Sequence, residues 1–157
     1  MQKFKWTVID FGKFKDKGMT LPKIVLTDPD WFFFLIEKEA FTDELARQAQ
    51  DIAAKATKIR IPGKSSKRWK VRYVFTREGR FEHFDVIDRH DTWYSGSGFI
   101  KISDFIDLSI VHQHKAYDKQ GGKRLIKGLK FQLFGRTNVR LTKQVCEKFF
   151  ENPRNFG

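Results

Sequence analysis

Residues 28–39 read Asp-Pro-Asp-Trp-Phe-Phe-Phe-Leu-Ile-Glu-Lys-Glu. Asp28 followed by Pro29 is an N-cap with proline at the first helical position, and the pattern predicts a short helix over Trp31 to Glu39. Such a helix is apolar on nearly every side and has to be largely buried. Its apolar run, Trp31 to Ile36, falls far short of the ~20 residues a membrane span requires, so the cover has to come from the rest of the chain. With 157 residues, 40% of them apolar, 17 Phe and 4 Trp, the chain can build such a core.

The surrounding punctuation sets the other elements. Phe4, Trp6 and Val8 alternate with Lys3, Lys5 and Thr7 as in a half-buried strand, and Gly12 to Gly18 turns it. A second helix is expected from Thr42, with Leu45, Ala49, Ile52 and Ala56 on one narrow face. Pro62-Gly63-Lys64-Ser65-Ser66 is the clearest internal break. It divides an N-terminal basic-loop and helical part, 1–61, of ββα-like or βα type, from an antiparallel-sheet part with a C-terminal helix, 62–157, unless the two form one compact domain.

Beyond the break, Trp69, Val71, Tyr73 and Phe75 alternate with Lys70 and Arg72. Phe81 to Asp88 alternates again across the turn Arg77-Glu78-Gly79-Arg80, which predicts an antiparallel hairpin. Further strands are expected at Gly98 to Ile102, Leu108 to His112 and Leu125 to Phe134, with a helical turn at Ser103 to Asp107. Asp118-Lys119-Gln120-Gly121-Gly122 reads as the turn before the last strand. Thr142 caps a final helix that Asn152-Pro153 ends. The expected class is α+β, a mostly antiparallel sheet with two or three helices.

Charge constrains the partners. The chain carries 31 Lys+Arg against 19 Asp+Glu, a net +12, and the excess is segregated. Lys55 to Arg72 holds eight basic residues and no acid. Lys115 to Lys143 holds nine against Asp118 alone. Acids gather instead in Asp28 to Asp51 and Glu78 to Asp107. A folded chain that separates charge in this way can present a cationic face to a polyanion. Trp69, Tyr73, Tyr117, Phe131 and Phe134 lie within the basic blocks, which suits stacking of single-stranded bases, although the Trp69 to Phe75 stripe has the spacing of core residues.

In Phe-Gly-Lys-Phe-Lys-Asp-Lys-Gly, residues 11–18, the two glycines and the alternating Lys13, Lys15 and Lys17 could offer amides and ammonium groups to a phosphate. The stretch Phe11 to Leu21, with the aromatic helix after it, resembles a small domain of the form Phe-Gly-Lys-aromatic-Lys-Gly-Lys-Thr-Leu. That domain occurs at the carboxyl end of exodeoxyribonuclease X-like 3′-5′ exonucleases and as stand-alone small bacterial proteins. The likeness covers residues 7–41 and makes Phe11, Gly12, Lys13, Phe14, Lys15, Gly18, Leu21 and Trp31 motif positions. Here the loop is one residue longer and Met19 replaces the usual lysine or threonine. No strand carries the Asp-x-Glu pair of that nuclease class, so the resemblance implies association with nucleic acid and no catalysis.

Candidate catalytic chemistry is sparse. Glu82, His83, Asp85, Asp88, His90 and Asp91 crowd into ten residues, and at the strand end Asp88, His90 and Asp91 could converge on Mg²⁺ or Mn²⁺. Solvated residues at a hairpin end are the preferred reading, with no metal. On a strand, His112 and His114 would share a face. The lone Cys146 lies on the apolar side of the last helix, reads as core, and points to a reducing, cytoplasmic setting.

The chain therefore reads as a non-enzymatic nucleic-acid-binding protein of little sequence specificity. Its expected contacts are Lys13, Lys15, Lys17, Lys64, Lys67, Arg68, Lys70, Arg72, Lys123, Arg124, Lys127 and Lys130, with no cofactor and no membrane partner. Two alternatives stand beside it. One is a phage or mobile-element accessory protein that docks on an acidic protein partner; the other is a metal-dependent nuclease using Asp85 to Asp91.

Overall fold

The computed structural model describes residues 6–91, 94–114 and 118–157. Among these the chain is α+β, with six α-helices and one three-stranded antiparallel sheet. In order the elements are α1 (Leu21–Val25), α2 (Pro29–Glu37), α3 (Asp43–Ala56), β1 (Trp69–Phe75), β2 (Phe81–Asp88), β3 (Phe99–Ser103), α4 (Ile110–His114), α5 (Lys119–Phe134) and α6 (Lys143–Glu151).

The aromatic helix α2 starts as its sequence demands. Pro29 opens it, and the Asp28 carboxylate accepts from the Trp31 amide at 3.1 Å, satisfying one of the free N–H groups of the first turn. Phe32 and Phe33 are buried, while Trp31, Phe34, Leu35 and Ile36 are half-buried. The expected inner face of α3, Leu45, Ala49, Ile52 and Ala56, is buried. Gln48 on the same helix accepts from the Thr7 amide and donates to its hydroxyl, both at 3.0 Å. The last helix runs from the Thr142 cap, whose hydroxyl accepts from Val145 N, to Asn152.

The hairpin forms with Trp69 opposite Asp88 and Tyr73 opposite Phe84. A bulge interrupts it: Val74 pairs with His83 but Phe75 pairs with Phe81, leaving Glu82 as the extra residue. Phe81 and Phe84, three apart, can therefore both be buried, which simple alternation would forbid. β3 pairs with the other edge of β1, so the sheet order is β2-β1-β3. Val71, Tyr73 and Phe75 are fully buried, and the Tyr73 hydroxyl donates to Phe105 O and accepts from Asp107 N.

Several sequence expectations are corrected. Leu125 to Phe134 is the body of α5 and not a strand, and Asp118 to Gly122 is its cap and first turn: the Asp118 side chain accepts from Gly121 N at 3.0 Å. Gly121 admits a neighbouring element. A Cβ on Gly121 would lie 2.8 Å from Val111, and one on Gly122 would touch Pro29. Ile110–His114 is helical, so the expected strand Leu108 to His112 is absent. Ser103 to Asp107 forms no helical turn; Ile106 instead bridges Ile59. At the N-terminus only an isolated bridge, Val8 to Thr20, stands where a strand was expected, and residues 1–5 of that stretch lie outside the described residues.

One buried apolar cluster runs from Trp6 to Phe156 and is continuous across residues 61 and 62. Cys146 belongs to it, and burial pushes its thiol up to about 11, as befits a core residue. Among the described residues no helix is long and apolar enough to cross a membrane.

Candidate functional site

The loop Gly12 to Gly18 is folded onto α2. Gly12, Asp16 and Gly18 all have positive φ, 74°, 62° and 64°. A Cβ on Gly12 would lie 2.9 Å from the Trp31 ring, so the position demands glycine twice over. Phe14 is buried and meets Trp31 edge-on with centroids 5.1 Å apart. Lys13 pairs with the buried Asp28 carboxylate and lies over the Phe14 and Trp31 rings. It ties the loop to the helix that follows. Lys15 and Lys17 remain exposed.

Helix α5 supplies the second half. Leu125, Ile126 and Leu129 face the core, and Gly128 lets the helix press on β2: a Cβ there would lie 2.6 Å from the Phe84 ring. At 3.6 residues per turn, Lys119, Lys123, Lys127 and Lys130 fall within about 80° of one another on the outer side. Among the described residues none of the four pairs with a carboxylate. The helix also begins with no acidic residue in its first turn, so Lys119 stands at the positive end of the dipole.

One shallow cleft joins these halves, and two more border α5. The first, about 230 Å³, is lined by Lys13, Phe14, Lys17, Thr27, Asp28, Lys119 and Lys123. The next, about 360 Å³, shares Thr27 and Lys123 with it and adds Lys127 and Lys130. The third, about 380 Å³, shares Lys127 and Thr137 with the second and adds His83, Arg124 and Phe131. Residues about a hundred positions apart thus line the first cleft, and the three clefts, which share lining residues, make up the α5 furrow. Arg124 is anchored by donating to Phe81 O at 3.2 Å. Phe131 is 54% exposed, enough to leave a ring face open beside the lysines. Lys15 lines none of the three.

The basic block after residue 62 behaves differently. Arg72 grips Asp85 across the hairpin with two hydrogen bonds of 3.0 and 2.6 Å. Arg68 pairs with Asp88 at 3.1 Å, and Lys70 with Asp104. Trp69 is half-buried, with the Lys64 ammonium 4.1 Å from its ring centroid. Of the five basic residues named there, only Lys64 and Lys67 have no carboxylate partner among the described residues. This block does not border the α5 furrow.

Asp88, His90 and Asp91 are drawn into hydrogen bonds with their neighbours. Asp88 accepts from the His90 amide and from Arg68, and those bonds hold its carboxyl below the usual range. The His90 ring accepts from Arg89 at 3.1 Å. Among the described residues no group of three His, Cys, Asp or Glu is arranged to hold a metal ion.

His112 and His114, on a helix, point to different places. The His114 ring lies 4.3 Å from that of Phe75, while His112 sits between two carboxylates: its Nε2 is 2.5 Å from Glu37 and its Nδ1 3.7 Å from Asp30. Asp30, on α2, is buried and accepts from the Asp118 amide. Burial, above all, pushes its carboxyl up to about 6. This junction of α2, α4 and α5 had no signal in the sequence beyond a second aspartate after Asp28.

Compared with known proteins, the chain matches no protein-family model, no curated protein and no solved structure.

Proposed function

We propose that the protein binds nucleic acid, with little sequence specificity, along the furrow between the Gly12 to Gly18 loop and the outer face of α5. The observation that carries the reading is the lysine row Lys119, Lys123, Lys127 and Lys130, which meets Lys17 and has no carboxylate partner among the described residues. Like charges gathered along one helix face repel one another, and a row of phosphates would relieve that repulsion. The resemblance of residues 7–41 to the exonuclease-associated domain points the same way. Lysine ammonium groups on a helix face read backbone charge and carry little base information. Phe131 beside the row favours an unpaired strand, whose bases can stack on an open ring.

Fluorescence anisotropy with labelled single- and double-stranded oligonucleotides across a salt series tests this. Binding at 50 mM salt should weaken steeply as salt rises, with a log-log slope of about −0.7 for each phosphate neutralised on a single strand. Absence of binding at 50 mM, or binding indifferent to salt, would remove the proposal.

A further inference from the structure

A cleft of about 700 Å³, nearly twice the volume of any along the furrow, opens at the far end of α5 from the loop. Its walls come from the connection between α3 and β1, from Asp104 and Phe105 after β3, and from Arg154 and Asn155. Phe105, Leu133 and Phe149 give it an apolar side. Four cations line it, Arg60, Lys64, Lys67 and Arg154, against one carboxylate, Asp104, which Lys70 already holds.

The cations are placed by structure. Arg60 donates from Nε to Phe156 O at 2.7 Å, which fixes the guanidinium while its two terminal nitrogens take no partner among the described residues. The side chains of Lys67 and Arg154 have none there either. The connecting loop is stiffened from within: the Arg68 and Trp69 amides donate to Ser65 O, Lys67 N donates to Ser65 Oγ, and Lys70 Nζ donates to Ser66 O. A pre-formed cavity of this size, with an apolar wall and four cations in its lining, has the properties of a small-ligand site for an anion that also carries an apolar surface.

We propose that this cleft binds a nucleoside phosphate, with the phosphate held by Arg60, Lys67 and Arg154 and the base laid against Phe105 and Phe149. The site is separate from the α5 furrow and does not depend on the reading given for it. The shared chemistry is a phosphate on a nucleoside, supplied either by a free nucleotide or by the 5′ end of a nucleic-acid strand.

Calorimetric titration of the whole protein with adenosine 5′-monophosphate, adenosine and inorganic phosphate tests the site. The nucleotide should bind at least about tenfold more tightly than adenosine or phosphate alone, since only it engages both the cations and the apolar wall. The double variant Lys67→Gln/Arg154→Gln, which changes two exposed side chains, should lose about tenfold or more in nucleotide affinity, while Lys127→Glu keeps it. No heat at millimolar nucleotide, equal affinity for phosphate and nucleotide, or an unaffected double variant would each overturn the proposal. Oligonucleotides with 5′-phosphate and 5′-hydroxyl ends, titrated into the Lys127→Glu protein, separate the sources. A preference for the phosphorylated end, lost in Arg154→Gln, assigns a strand terminus; nucleotide binding without that preference assigns a free nucleotide.

Discussion

Asp30 is a carboxyl whose chemistry folding alters strongly. It sits in the first turn of α2, one oxygen taking the Asp118 amide and the other facing His112 Nδ1 at 3.7 Å, with neither of those two facing atoms otherwise bonded among the described residues. The charges around it are His112 from α4, Asp28 from its own cap and Asp118 from the start of α5. Because its carboxyl rises from 3.8 to about 6, the folded state favours the neutral form. Its contribution is complete below pH 3.8 and is lost as pH climbs through 6, which amounts to about 3 kcal/mol at most. Asp30→Asn keeps an acceptor for Asp118 N and removes the charge. In urea titrations its stability relative to wild type should therefore rise between pH 4 and pH 7.5. A constant difference over that range would mean that Asp30 stays ionised in the fold.

At the scale of elements, α5 is where sequence and structure part. Its apolar residues Leu125, Ile126, Leu129 and Leu133 have helical spacing, and so do its four lysines. Gly121-Gly122 nonetheless reads as a turn, because glycine's usual role there is conformational freedom. In the folded chain Gly121 serves close approach, with no room for a Cβ against Val111. The same helix provides a matched test. A Cβ on Gly128 would meet the Phe84 ring at 2.6 Å, whereas one on Gly122 would meet Pro29 at an ordinary 3.6 Å. Gly128→Ala should destabilise the protein by about 1 to 2 kcal/mol despite better helix propensity, while Gly122→Ala should be neutral or gain up to about 1 kcal/mol. Thermal melts of the two variants check this, and equal shifts would show that propensity alone governs α5. The hairpin apart from its bulge, and the capped start of α2, were by contrast legible, since a cap, a proline and a period-two stripe act within a few positions.

Over the whole molecule, the net charge of +12 is unevenly spent. Arg68, Lys70 and Arg72 are matched by Asp88, Asp104 and Asp85, while the loop and α5 pool their lysines. Placement, and not the total, should then govern binding. Lys127→Glu, at the junction of two clefts, and Lys101→Glu, on the sheet edge away from β2, change net charge equally. In anisotropy at 50 mM salt the first should weaken oligonucleotide binding by about tenfold and lower the salt slope by about 1, and the second by less than about threefold. Equal losses would mean that only the overall field matters.

The amino-acid order by itself determined the α+β class, the start of α2, the inner face of α3, the hairpin and the capped final helix. Each of these depends on neighbours in the chain, through backbone preference, capping and hydrophobic period. Tertiary structure alone decided that four expected contact residues, Lys13, Arg68, Lys70 and Arg72, are paired with carboxylates, that Gly121 and Gly128 serve close approach within α5, and that Lys17 and Lys123 line one cleft. Those outcomes depend on which surfaces meet across a hundred residues: on a ring that leaves no room for a Cβ, and on a carboxylate delivered from another strand.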